Sequence, residues 1–160
     1  MSWDQRGAIS VNVSFEGDLI RPLGLVTLYF GYAEFEVDAL LNALESAGFP
    51  ITVASTIPLG RKLAVARDVL SRRQSPEAIQ VISIIDEAKS MIELRNLLVH
   101  SSILAGGRVT PSDKAQHEVT VTPDQLVRLA DDIFTWKERL SVARQLKLMP
   151  ALHLIGNSGG

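Results

Sequence analysis

The chain has 160 residues, of which 46% are hydrophobic and 21% are charged, and its formal net charge is −2. This length and composition predict one folded domain and exclude a disordered chain. The charge balance argues against a protein that coats nucleic acid through bulk positive charge, and the lack of cysteine excludes a disulfide framework and a cysteine nucleophile. We expect neither a signal peptide nor a membrane span, and a cytoplasmic location.

Residues 1–18 alternate in part between apolar and polar side chains, which predicts an N-terminal arm or a short strand. A first helix is predicted from about Leu19 to Ala47, because its apolar residues recur at spacings of three and four over three heptads. This apolar row consists of Leu23, Val26, Phe30, Ala33, Val37, Leu40 and Leu44. Gly48 and Pro50 are expected to stop the helix.

A second helix is predicted after Ser55-Thr56, with Pro58 in its first turn and its end near Arg73. The segment is locally basic, because five cations oppose a single acid. The cations are Arg61, Lys62, Arg67, Arg72 and Arg73, and the acid is Asp68. This pattern indicates either a solvated face or a surface that follows an RNA phosphate backbone through Arg61, Lys62 and Arg67.

A third helix is predicted to open at Ser75-Pro76-Glu77 and to run to about Ile103. Weakly alternating segments at 108–110 and 118–121 then predict a small β-hairpin or an irregular loop. Thr122, followed by a proline and three positions later by Gln125, predicts the start of a fourth helix that runs to about Lys147. Pro150 should bound that helix, and residues 150–160 are expected to form a flexible tail.

Four amphipathic helices joined mostly by short links predict an all-α fold, because a bundle buries all four apolar stripes at once. The predicted architecture is an up-and-down four-helix bundle over residues 19–149, with the hairpin or loop between the third and fourth helices. The sequence shows neither an internal repeat nor a second domain. It also contains no metal-ligand spacing and no glycine-rich phosphate loop, so we predict no metal and no cofactor.

Arg95 occupies an unusual place on the third helix. It lies three residues after Ile92 and three before Leu98, so it falls inside the apolar stripe. A charge there is costly unless the stripe opens onto a cleft or the charge has a partner. Glu34 and Asp38, which flank the apolar row of the first helix, are the candidate partners.

His100 lies four residues after Asn96 and seven after Glu93, so the three form a polar row beside the apolar one. Arg95 and His100 are about 140° apart around an ideal helix, yet a long arginine side chain could reach a groove that His100 borders. Each residue also has a purely structural interpretation. Arg95 would form a buried ion pair, His100 would interact with the helix dipole, and Asn96 would hydrogen-bond near the helix end.

The run Arg95-Asn96-Leu97-Leu98-Val99-His100, late in the third helix, resembles the Arg-Asn-x-x-x-His motif of the HEPN superfamily. In architecture the resemblance extends from about Leu19 to Lys147. It implies a homodimer and, in catalytically active members, a metal-independent endoribonuclease of a toxin or defence type. RNA and an antitoxin or other protein would then be partners. The alternative is a non-catalytic HEPN-like dimerisation or ligand-binding module.

The resemblance also implies roles for the motif residues. His100 would take a proton from a ribose 2′-OH or donate one to the leaving 5′-oxygen. Arg95 would hold the scissile phosphate, and Asn96 would orient the histidine or the phosphate. Ser102 stands where toxins paired with a nucleotidyltransferase antitoxin carry a tyrosine, which argues against membership of that subgroup.

Overall fold

The computed structural model describes residues 19–52, 56–104, 108–111 and 119–156, so the predicted arm over residues 1–18 lies outside the described residues. The described chain is predominantly α-helical, as predicted. Its helices are α1 (Ile20–Ser46), α2 (Leu59–Ser71), α3 (Pro76–Glu87), α4 (Lys89–Val99), α5 (Pro123–Ala143) and α6 (Met149–Gly156). A π-helical segment, Arg144–Leu148, joins α5 to α6. The described residues also form three short strands: β1 (Ser101–Leu104), β2 (Arg108–Pro111) and β3 (Val119–Thr120).

The core is centred on α1 and α5, which pack along each other, while α2 contacts α1 and α3. The apolar row predicted for α1 is buried from Val26 to Leu44, and Leu23 is half-buried. The buried residues of α5 that complete this interface are Leu126, Leu129, Ala130, Ile133, Trp136, Leu140 and Ala143. Burial of each large apolar side chain contributes about 1.5–3 kcal/mol, so these two stripes are a large part of the stabilising burial.

Local capping chemistry confirms two predicted helix starts. At α3, the backbone N–H of Ala78 donates to the hydroxyl of Ser75 at 3.2 Å. At α5, the backbone N–H of Gln125 donates to the hydroxyl of Thr122, and the Thr122 N–H donates to the Gln125 side chain. This reciprocal capping box satisfies two donors that a helix N-terminus otherwise leaves without partners.

The prediction of one continuous third helix is wrong, because the helix is broken at Ala88 into α3 and α4. The Ala88 N–H donates to the carbonyl of Ile85, three residues back, at 3.1 Å. The carbonyl of Ile84, which would accept that N–H in a regular helix, accepts a bond of 2.6 Å from the indole N–H of Trp136. The break therefore coincides with a hydrogen bond between α3 and α5.

The predicted end of the third helix at Ile103 is also wrong, because residues 101–104 form β1. This strand pairs antiparallel with β2, so that Ser102 lies opposite Thr110. β2 in turn pairs antiparallel with β3, with Arg108 opposite Thr120. The predicted hairpin is therefore present, with β1 as a third strand, and Val109 anchors it in the core with no exposed surface.

Pro150 does not bound the last helix, and the predicted flexible tail is helical up to Gly156. In the π-helical segment, the Met149 N–H donates to the carbonyl of Arg144, five residues back. Pro150 is then the second residue of α6, where its missing N–H costs little. Leu152 is buried, so this helix belongs to the core, and residues 157–160 lie outside the described part.

Candidate functional site

Arg95 projects from α4 toward α1. Its guanidinium carbon lies 4.0 Å from the ring centroid of Phe30, and its Nη1 donates to Oδ1 of Asn96 at 3.1 Å. The side chain is half-buried, and its Nε is enclosed with no acceptor among the described residues. The contact with the Phe30 ring explains how a cation is held in this apolar stripe, since an arginine stacks favourably on an aromatic face.

Neither predicted carboxylate partner binds Arg95. Asp38 instead forms an ion pair with Nζ of Lys62 at 2.6 Å. The prediction that Asp38 partners Arg95 is therefore wrong. Within the described ranges, no salt bridge joins Glu34 to Arg95 either. The Arg95 guanidinium therefore lacks a carboxylate counter-ion in the part of the chain that the structure describes.

His100 is the C-cap residue of α4, and its side chain is exposed. Its backbone N–H donates to the carbonyl of Asn96 at 3.0 Å. Asn96 thus bonds Arg95 through its side chain and His100 through its backbone. None of the contacts among described residues joins the Arg95 guanidinium to the His100 imidazole, because Arg95 faces α1. Ser102 follows in β1, two residues after His100.

The predicted basic surface of α2 is mostly neutralised. Lys62 is only 4% exposed and is paired with Asp38, which leaves it little surface for the predicted contact with RNA. Arg67 donates to both carboxylate oxygens of Asp86, at 2.7 and 3.2 Å. That hydrogen-bonded pair raises the pKa of Arg67 and lowers the pKa of Asp86. Arg61 is exposed and has no acidic partner among the described residues.

An apolar groove of about 310 Å³ runs between α4 and α5, beside the motif helix. Its apolar lining consists of Leu94, Leu97, Leu98, Val121, Leu126 and Leu129. On α4 itself only Leu98 is buried, while Leu94 and Val99 are 38% and 44% exposed. The motif helix therefore lies at the periphery of the fold and presents uncovered apolar surface.

A buried ion pair elsewhere was missed by the sequence reasoning. Arg144 donates to both carboxylate oxygens of Glu36, at 2.6 and 3.2 Å, and the two side chains are 13% and 7% exposed. The signal was available, since Glu36 lies three residues after Ala33 and four before Leu40, inside the apolar row of α1. This is the same spacing rule that singles out Arg95.

Among the described residues, no cluster of three or more histidine, aspartate or glutamate side chains could hold a metal ion. No helix in the described ranges is both long enough and apolar enough to cross a membrane. Comparisons with models of known families, with curated proteins and with solved structures find no match to this chain.

Proposed function

We propose that the chain is a cytoplasmic, homodimeric HEPN-like domain that cleaves RNA without a metal ion, with Arg95, Asn96 and His100 at its site. The observation that carries this proposal is the state of Arg95. Its guanidinium is half-buried and has no carboxylate partner among the described residues. A charge held in that way is costly, and an RNA phosphate would supply the missing counter-charge.

The other two residues supply complementary chemistry. His100 is exposed at the end of α4, and an imidazole transfers protons readily at neutral pH. Asn96 is bonded to Arg95 through its side chain and to His100 through its backbone. It therefore fixes the Arg95 guanidinium relative to the end of α4. In the proposed reaction, Arg95 binds the scissile phosphate and stabilises its developing charge. His100 transfers the proton of the ribose 2′-OH or of the leaving 5′-oxygen.

Dimerisation is part of the proposal, because no contact among the described residues joins the Arg95 and His100 side chains within one chain. The uncovered apolar surface of α4, which includes Leu94 beside α5, would be covered by α4 of a second copy. The apolar groove between α4 and α5 extends the same surface. Two copies of the motif would then border one cleft, which would supply a general acid and a general base together.

The test is RNA cleavage in excess EDTA by the wild-type protein, by His100→Ala and by Arg95→Gln. We expect cleavage to survive EDTA and to fall by at least about a hundredfold in His100→Ala, the usual contribution of a positioned acid or base. The matched control is Arg72→Gln, at an exposed arginine next to α2. Cleavage that EDTA abolishes, or that His100→Ala leaves unchanged, would contradict the mechanism.

A second candidate is a non-catalytic dimerisation or ligand-binding module. The stacking of Arg95 on Phe30, with Nε enclosed, favours it, because these contacts give the arginine a packing role. This candidate predicts that the wild-type protein does not cleave RNA and that Arg95→Ala lowers the melting temperature or dissociates the dimer. An Arg95→Ala protein with an unchanged melting temperature and lost RNA affinity would exclude it.

A further inference from the structure

A groove of about 660 Å³ lies on a part of the molecule away from the motif, and none of Arg95, Asn96 and His100 lines it. Its walls come from the C-terminal half of α1, from Arg73 just after α2, and from the chain between Arg144 and His153. A volume of roughly 300–1,000 Å³ is typical of sites for small molecules. The groove is therefore large enough for a compact organic ligand.

The charged residues of this groove are all basic. Arg73, Arg144 and His153 line it, and none of the described residues that line it is acidic. Arg144 is held by Glu36, which fixes its position and offsets its charge. Arg73 has no carboxylate partner among the described residues. The groove thus carries uncompensated positive charge at Arg73.

Arg73 also has one buried hydrogen-bond donor, Nη2, without an acceptor among the described residues. Its guanidinium carbon lies 5.6 Å from the ring centroid of Phe49. A guanidinium donor without an acceptor costs free energy, and an anion bound in the groove would offer Arg73 an acceptor oxygen. Arg73 therefore favours an anion as the ligand of this groove.

The other residues that line the groove suit the organic part of a ligand. Ala39, Ala43 and Ala47 form one row on α1, and Met149 and Leu152 form an apolar side contributed by α6. Hydrogen-bonding groups are supplied by Asn42 and Ser46, which lie one turn apart on α1. The π-helical segment Arg144–Leu148 precedes α6, and such segments recur at functional sites.

We propose that this groove binds a small organic phosphate. Arg73 donates to the phosphate oxygens, and the imidazole of His153, which also lines the groove, is a second hydrogen-bonding group for the ligand. The organic body packs on the alanine row and on Met149, with its hydroxyl groups toward Asn42 and Ser46. A phosphate monoester fits better than a carboxylate, because it carries a second negative charge near neutral pH and more acceptor oxygens. The proposal is independent of RNA cleavage.

The test is a titration of the full, nitrogen-15-labelled chain, followed by NMR at the Arg73 side chain and at the amides of Asn42 and Leu152. The probes are adenosine monophosphate, ribose 5-phosphate, adenosine and inorganic phosphate. We expect both organic phosphates to shift these signals and adenosine to leave them in place. Arg73→Gln should weaken binding at least about tenfold, since a charge-assisted pair is lost. The adjacent Arg72→Gln, which removes a partner of Asp68 outside the groove, should bind like the wild type.

Several outcomes would overturn the proposal. Signals of the groove that respond to neither organic phosphate would exclude the site, and equal shifts with adenosine would exclude recognition of the anion. If inorganic phosphate binds as tightly as the organic phosphates, the organic body makes no contribution and the groove is a simple anion site. Equal losses in Arg72→Gln and Arg73→Gln would show a general charge effect.

Discussion

The Glu36–Arg144 ion pair gives the sharpest stability prediction. Glu36→Gln keeps the shape of the side chain and one acceptor oxygen, but it removes the charge that Arg144 faces. Because the two side chains are 7% and 13% exposed, water compensates only in part for the lost partner. Breaking a buried pair from one side costs about 3–5 kcal/mol, and we expect the lower end here because one hydrogen bond survives.

For a domain of this size, about 3 kcal/mol corresponds to a fall in melting temperature of about 6–12 °C. Urea denaturation followed by circular dichroism measures the free energy directly. Glu45→Gln, on the exposed side of the same helix, is the matched control and should change little. Replacing both Glu36 and Arg144 by methionine should recover much of the loss, since no buried charge remains. A change of less than about 0.5 kcal/mol in Glu36→Gln, the range of ordinary surface substitutions, would refute this reasoning.

Two further predictions concern α3 and its neighbours. Trp136→Phe should lower the free energy of unfolding, measured by urea denaturation, by about 1–3 kcal/mol, because the carbonyl of Ile84 loses its indole donor. A variant as stable as the wild type would show that this bond does not hold the helix break. Asp86→Asn should destabilise the protein at neutral pH, because Arg67 lowers the pKa of Asp86 in the folded state. That contribution is present above the unfolded pKa and is lost as the pH falls through the lower folded pKa, so the two proteins should converge in strongly acidic solution; a difference independent of pH would contradict it.

The features that could be predicted from sequence are those fixed by local chemistry. The apolar row of α1 follows from the spacing of Val26, Phe30 and Val37, and the start of α5 follows from Thr122 and Gln125. These signals involve neighbours within one or two helical turns. They place the long helices and the hairpin before any tertiary contact is known.

The features that were missed depend on interactions that apolar spacing and capping signals do not predict. No glycine or proline marks the break at Ala88, where an indole from α5 takes the carbonyl of Ile84. Pro150 looks like a helix stop, yet the π-helical bond between Met149 and Arg144 lets the chain continue as a helix. Neither event is encoded in the residues beside it.

At the candidate site, too, the position of a residue could be predicted from the sequence but its partner could not. Sequence spacing correctly identifies Arg95 as a charge inside an apolar stripe, and the same rule applies to Glu36 and Lys62. It does not identify partners, because Asp38 binds Lys62 while Arg95 stacks on an aromatic ring. Which acid meets which base depends on how the helices cross, and that is a property of the whole fold.

The most direct test of the central claim is the chemistry of the RNA products. If His100 moves a proton during attack by the ribose 2′-OH, cleavage in excess EDTA should leave a 2′,3′-cyclic phosphate and a free 5′-hydroxyl. An oligonucleotide with a single 2′-deoxy sugar at the cleavage position should then stay intact. Cleavage of that oligonucleotide by the wild-type protein would contradict the role assigned to His100.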